Sequence, residues 1–165
     1  MSDCLLPADV VALARRVVEE NAAAGRTVAL AESCTGGLVA AALTEIPGSS
    51  SVLECSFVTY SNKAKHDLLG VSQDIIDAFG AVSIACVYAM AQGALARSGA
   101  DVAVAISGVA GPGGGSEQKP VGTVVFARAE RGETKPDAEL KLFEEKDRSG
   151  VRRQAALCAL ELLLP

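Results

Sequence analysis

The sequence predicts an α/β protein, a three-layer α/β/α sandwich around a mixed, mostly parallel sheet of five strands. Three observations carry that expectation. Half of the 165 residues are apolar and only 4% are aromatic, so Val, Leu, Ile and Ala must build the core, as in sheets covered on both faces. Apolar runs at 27–31 and 102–107 read as buried strands. Segments of helical period stand between the strands along most of the chain. The length is most simply that of one domain, residues 1–165.

Each element has its own signal. Pro7 and Asp9 precede a helix in which Val10, Leu13, Ala14, Val17 and Val18 recur at helical spacing, and Gly25 stops it. Residues 27–31 form a short strand, and 36–46 a helix ended by Pro47–Gly48. The β-branched and aromatic content of 53–60 marks a second strand. Residues 62–69 form a short helix closed by Gly70; Ser72 caps another at 73–79, closed by Gly80. Ser83 opens a longer helix to about Ser98, ended by Gly99. After strand 102–107, the segments 121–129 and 138–144 form an antiparallel hairpin around Arg131–Gly132. Residues 148–164 close the chain as a helix with Val151, Ala155, Leu157, Leu160 and Leu164 facing in.

Composition excludes several classes. The net charge is −5, from 20 acidic and 15 basic residues, so no nucleic-acid partner is expected. Five scattered cysteines without a C-x-x-C pair predict neither a disulfide framework nor a zinc site, and no metal or cofactor is expected. That cysteine usage suits a reducing cytoplasm. No signal-peptide pattern opens the chain, and no segment approaches the roughly 18 unbroken apolar residues of a membrane span. A homo-oligomer is expected, and apolar helix faces such as 84–95 allow a dimer or higher.

The most informative stretch is 108–123, GVAGPGGGSEQKPVGT, directly after the third strand. Small residues there let backbone N–H groups approach an anion, phosphate above all. TVALAESCTGG at 27–37 repeats the pattern with hydroxyls added. Ligands of open α/β sheets bind beyond the carboxyl ends of the strands, where both segments lie. Neither is a P-loop or a dinucleotide fingerprint. A flexible connector is the plain alternative for the glycine run.

His66 is the only histidine, and in KAKHDLL it reads as a solvated helix residue. Lysine then becomes the candidate base, since burial lowers its pKa. Lys63, Lys65 and Lys119 are candidates; Ser33, Cys34, Thr35 and 49–51 are candidate nucleophiles. On the residues alone, Ser49–Ser51 reads better as turn chemistry, and Ser33 and Thr35 serve equally as helix caps. Glu32, Cys34 and a lysine would make a rival thiol amidase. Arg148, Arg152 and Arg153 read as a solvated surface or, beside a glycine loop, as an anion site.

Together AESCTGG (31–37), PGSS (47–50), FVTYSNKAK (57–65), AISGVAGPGGGSEQKPVGTV (105–124) and DRSGVRRQA (147–155) resemble the CinA C-terminal domain family. The likeness runs from Val10 to Leu164. It implies a metal-free amidase that hydrolyses the carboxamide of nicotinamide mononucleotide to nicotinic acid mononucleotide and ammonia. A serine, a tyrosine and a lysine are implied as its apparatus, which map to Ser50, Tyr60 and Lys65, with Ser33, Ser49 and Ser51 as alternatives. Ser33, Thr35, Gly36, Gly37, Gly108, Gly111, Gly114, Thr123 and Arg148 are the expected substrate contacts. Lys146 and Gly113 depart from the family pattern. A non-catalytic nucleotide-binding or regulatory module, historically tied to competence and DNA damage, is the rival from another class.

Overall fold

The computed structural model describes residues 4–145 and 147–165. In chain order the elements are α1 (Ala8–Ala23), β1 (Val28–Glu32), α2 (Leu38–Thr44), β2 (Leu53–Val58), α3 (Asn62–Leu69) and α4 (Gln73–Phe79). Then come α5 (Ile84–Ser98), β3 (Val102–Gly108), β4 (Thr123–Glu130), β5 (Asp137–Leu142) and α6 (Arg148–Leu162). A short 3-10 turn, Ser49–Ser51, stands before β2.

The five strands form one sheet in the order β2-β1-β3-β4-β5. β1 runs parallel to β2 and to β3, whereas β3–β4 and β4–β5 are antiparallel. The sheet is thus mixed, as expected, with its parallel part at one side. Strand ends shift by a residue or two from the expected positions; β2 ends at Val58 rather than at residue 60.

The sheet divides the core in two. On one side α1, α2 and α6 cover Val28, Leu30, Val104, Ile106, Val124 and Phe126. On the other, α3, α4 and α5 cover Ala29, Ala31, Ala103, Ala105 and Ala127. That alanine-paved face lets α5 lie close to the strands. Gly93 of α5 has the same effect on α3, because a Cβ there would stand 2.0 Å from the Leu69 carbonyl oxygen. α3 is therefore held at backbone distance from α5, and Lys65, one turn before Leu69, is drawn beneath the sheet end.

Two expectations about faces change. In α6, Val151, Ala155 and Leu160 are buried, but Leu157 is only half-buried, as is Leu164, which lies past the end of the helix. In α5, Cys86, Val87, Met90, Ala91 and Ala94 are all buried, so most of the apolar run 84–95 is consumed by the core. Ile84 at its start is exposed, and other exposed apolar side chains lie on β5 among other places.

Candidate active site

β1 is the inner strand of the parallel part, so the chain leaving it emerges between its neighbours. Ser33 follows immediately, its N–H donating to the Ile106 carbonyl at 3.0 Å. Beside it β2 ends, and Ser61 opens α3 by accepting from the Ala64 N–H at 3.0 Å. The first turn of α3 carries Lys65 back toward the sheet. Lys65 Nζ donates to the Thr59 carbonyl at 2.8 Å and lies 3.0 Å from Ser33 Oγ.

Lys65 is 1% exposed, and no carboxylate pairs with it among the described residues. An uncompensated ammonium in that position is costly, so burial holds its pKa below the ordinary lysine value. In its neutral form the amine has a lone pair to offer the Ser33 hydroxyl, and such a pairing can activate a serine.

The nearest acid faces away. Glu32 is fully buried, and its carboxylate accepts from Thr35 Oγ1 at 2.6 Å and from the N–H groups of Gly37, Val39 and Ala40. It also accepts from Ser56 Oγ at 3.3 Å. Glu32 therefore caps the start of α2 and fixes the loop after Ser33, leaving the Lys65 amine without a counter-ion. On the opposite side Arg152 donates to the Cys34 and Thr35 carbonyls at 3.2 and 3.1 Å. The serine sits on a loop pinned from two directions.

These residues open onto a cleft of about 310 Å³, lined by Ser33, Cys34, Tyr60, Asn62, Lys65, Ala81, Val82, Ser107, 108–111, Gly113, Gly114 and Arg148. Among the described residues, the N–H groups of Ala110, Gly111, Gly113 and Gly114 have no hydrogen-bond partner, and that of Cys34 interacts only with its own sulfur. Gly111 and Gly114 have φ of 81° and 85°, the left-handed backbone that glycine tolerates. Arg148, first residue of α6, donates to the Gly111 carbonyl at 2.8 Å and to the Tyr60 hydroxyl at 2.9 Å across the mouth. A depression of about 370 Å³ lies at the other end of the sheet near Tyr88, Gln92 and Arg131, but holds no paired serine and lysine. Among the described residues no group of three or more His, Cys, Asp or Glu side chains could hold a metal, and no helix is long and apolar enough to cross a membrane.

The expected site residues separate into those the fold gathers and those it does not. Lys65, Tyr60, Ser33, Gly108, Gly111, Gly114 and Arg148 share the cleft. Ser50 does not: its turn precedes β2 whereas Lys65 follows it, and the Val52 carbonyl accepts from the Val28 N–H at the amino end of β1. The length of β2 thus lies between Ser50 and Lys65, about 20 Å for six residues. Tyr60 is 60% exposed and its hydroxyl meets Arg148, not a serine–lysine pair.

Thr35 is spent on Glu32, and the Gly37 N–H is also taken by Glu32. The Gly36 N–H donates to the Ser33 carbonyl, and Thr123 Oγ1 donates to the Pro120 carbonyl. None of these four is among the residues lining the cleft; their hydrogen bonds hold the loops around it. Gly108 lines the cleft, but packing alone demands glycine there: a Cβ would stand 2.8 Å from Val124 Cγ2 and 2.9 Å from the Thr123 oxygen. Gly113 lines the cleft with open space around it, while Lys146 lies outside the described residues.

Burial works against the thiol alternative. Burial pushes the Cys34 thiol up to about 11, so a thiolate is scarce at neutral pH. We expect Cys34→Ala to keep activity within a few-fold of the parent in a steady-state assay. His66 is exposed, with Nδ1 2.8 Å from the Val71 carbonyl, consistent with a solvated helix residue. Two polar residues of the cleft escaped sequence reasoning, Ser107 and Asn62. The position of Ser107 at the end of a buried strand was the available signal for it.

The CinA C-terminal domain family model matches residues 10–165. The nicotinamide-nucleotide amidohydrolase PncC of Escherichia coli K12 is 50% identical over 156 residues, which are 94% of this chain and 93% of that protein. A CinA-like protein of Akkermansia muciniphila is 54% identical over 137 residues, 82% of this chain but 32% of the relative. The chain spans about a third of the length of that protein and of a curated relative from Symbiobacterium thermophilum. Among solved structures, the competence/damage inducible protein CihA from Agrobacterium tumefaciens superposes with a TM-score of 0.93 at 47% identity, covering 99% of this chain and 97% of that one. With this match across nearly its whole length, the chain belongs to the CinA C-terminal domain family.

Proposed function

We propose that the chain is an amidase that hydrolyses nicotinamide mononucleotide to nicotinic acid mononucleotide and ammonia, with Ser33 as nucleophile and Lys65 as base. One observation carries the mechanism: a buried lysine without a counter-ion, its nitrogen 3.0 Å from a serine oxygen at the floor of a cleft. The relatives named as amidohydrolases of nicotinamide nucleotide supply the substrate.

Neutral Lys65 accepts the Ser33 proton as Oγ attacks the carboxamide carbon. The tetrahedral oxyanion is met by the N–H of Cys34, next in the chain, and by that of Ala110 or Gly111. A donor of this kind contributes about 3 kcal/mol in the transition state. The intermediate collapses as the Lys65 ammonium passes its proton to the departing nitrogen, and ammonia leaves. Water, deprotonated by the same amine, then attacks the acyl-serine, and Ser33 recovers its proton as the carboxylate forms.

At the other end of the cleft, the N–H groups of Gly113 and Gly114 and the Arg148 guanidinium form the anion site for the ribose phosphate. Tyr60 orients Arg148 through its hydroxyl. A module that only bound nucleotides would have no need of a buried lysine beside a serine. The direct test is to mix the purified protein with nicotinamide mononucleotide and follow ammonia by a coupled assay and the acid nucleotide by chromatography. Absence of both products sinks the proposal. Arg148→Ala should raise KM about tenfold with a smaller change in kcat, the loss expected of one charge-assisted contact to phosphate. The same assay run on the riboside should show no such penalty.

A further inference from the structure

The cleft holds one buried hydroxyl that the hydrolysis proposed above leaves idle. Ser107, near the end of β3, is 1% exposed and lines the cleft, yet among the described residues its side chain has no hydrogen-bond partner. A buried hydroxyl is costly unless something meets it. Thr59 Oγ1 is sealed in the protein without a partner, whereas Ser107 faces the cleft, where a ligand can supply one.

The sheet fixes where that hydroxyl stands. β1 and β3 pair in parallel with Glu32 opposite Ile106, and the Ser33 N–H donates to the Ile106 carbonyl at 3.0 Å, which carries the ladder one step further. That step sets Ser33 opposite Ser107, on strands about 4.8 Å apart. Both side chains point to one face of the sheet. Ala31 and Ala105, two residues earlier on each strand, pack toward α5, as does Val125, the β4 partner of Ser107. Lys65 reaches Ser33 on the same face, its Nζ tied to the Thr59 carbonyl just past the end of β2. Because β1 lies between β2 and β3, Ser33 has the amine on one flank and the Ser107 hydroxyl on the other.

The two flanks suit different tasks. As the carboxamide oxygen turns to the backbone N–H groups, its NH2 group needs an acceptor of its own. No carboxylate lines the cleft, and Tyr60 is engaged with Arg148 at the mouth. When Ser33 Oγ adds to the carbon, the nitrogen becomes tetrahedral, with two hydrogens and a lone pair. A bond from one N–H to Ser107 Oγ turns the lone pair toward the Lys65 ammonium. The proton passes to that lone pair, the C–N bond breaks and ammonia leaves; no covalent bond to Ser107 forms or breaks.

We propose that Ser107 is the residue that selects amides over esters, by accepting a hydrogen bond from the carboxamide nitrogen and aiming that nitrogen at Lys65. The proposal rests on the amidase reading with Ser33 and Lys65. Its test compares nicotinamide mononucleotide with the methyl ester of nicotinic acid mononucleotide, whose leaving oxygen has no hydrogen to donate. In Ser107→Ala the ratio of amide to ester kcat/KM should fall about tenfold, the loss of one hydrogen bond made in the transition state. On the amide alone, Ser107→Thr should recover most of what Ser107→Ala loses, because it keeps the hydroxyl. A general disturbance of the cleft would slow both substrates together and leave the ratio unchanged, which overturns the proposal, as do alanine and threonine variants equally impaired on the amide. A parent that releases no ammonia sinks the amidase reading and this inference with it. An active parent matched by Ser107→Ala sinks the inference alone.

Discussion

Ser33→Ala should abolish ammonia release from nicotinamide mononucleotide, by about 10⁴-fold or more in kcat, while Ser50→Ala remains as active as the parent. Removing the nucleophile of a serine hydrolase costs on the order of 10⁶ in kcat, so even a partial expression of that loss is unmistakable. The contrast between the two serines is what makes the experiment sharp. Both belong to motifs of the family, but only one stands beside the lysine. Ser33 is 7% exposed, and its backbone N–H is held by the Ile106 carbonyl, so trimming the hydroxyl leaves the fold intact. Ser50 is exposed on a turn at the amino end of β2. Equal activity of the two variants would dismiss the serine–lysine pair, and a dead Ser50→Ala beside an active Ser33→Ala would return the role to the turn.

Lys65→Met should lower kcat by about 10³-fold, within the range that a general base contributes. It should also remove a pH dependence of both rate and stability. Burial depresses the Lys65 pKa in the folded state below the 10.5 of the free side chain. Between the depressed value and 10.5 the unfolded chain binds more protons than the folded one, so stability rises with pH across that window. Below the window the native state bears the full cost of charging a buried amine; above it the two states no longer differ. The parent should therefore gain stability in urea titrations as pH climbs toward 10.5, and Lys65→Met should lack that gain. Activity follows the same group. The ascending limb of kcat/KM should report the depressed amine and be absent from the residual rate of the variant. An unchanged limb in the variant would assign the titration to another group.

Much of the fold was legible because local chemistry is strong here. Gly70, Gly80 and Gly99 end their helices, and Ser72 and Ser83 open theirs, as their positions along the chain suggest; Ser61 caps α3 in the same way. The hairpin and the apolar strands also announced themselves. Strand ends were less clear, because residues such as Thr59 and Tyr60 have strand-like side chains yet lie past the last ladder partner, Val58. The cleft was half legible. Glycines 111 and 114, Tyr60, Lys65 and Arg148 line it together, whereas Thr35, Gly36, Gly37 and Thr123 hydrogen-bond within their loops and do not line it. A hydroxyl that holds a loop and one that meets a ligand look alike in a string of letters.

What the sequence determined alone is the type of structure: strands, helices and caps follow from near neighbours, and a single histidine beside four candidate serines and three candidate lysines makes lysine the expected base. What only the tertiary structure decided is the pairing. Ser33 and Lys65 are 32 residues apart and meet because parallel strands β1 and β2 end side by side, while Ser50 and Lys65, closer along the chain, are held at opposite ends of β2. Strand direction, a property of the whole sheet, sets which hydroxyl the amine can reach.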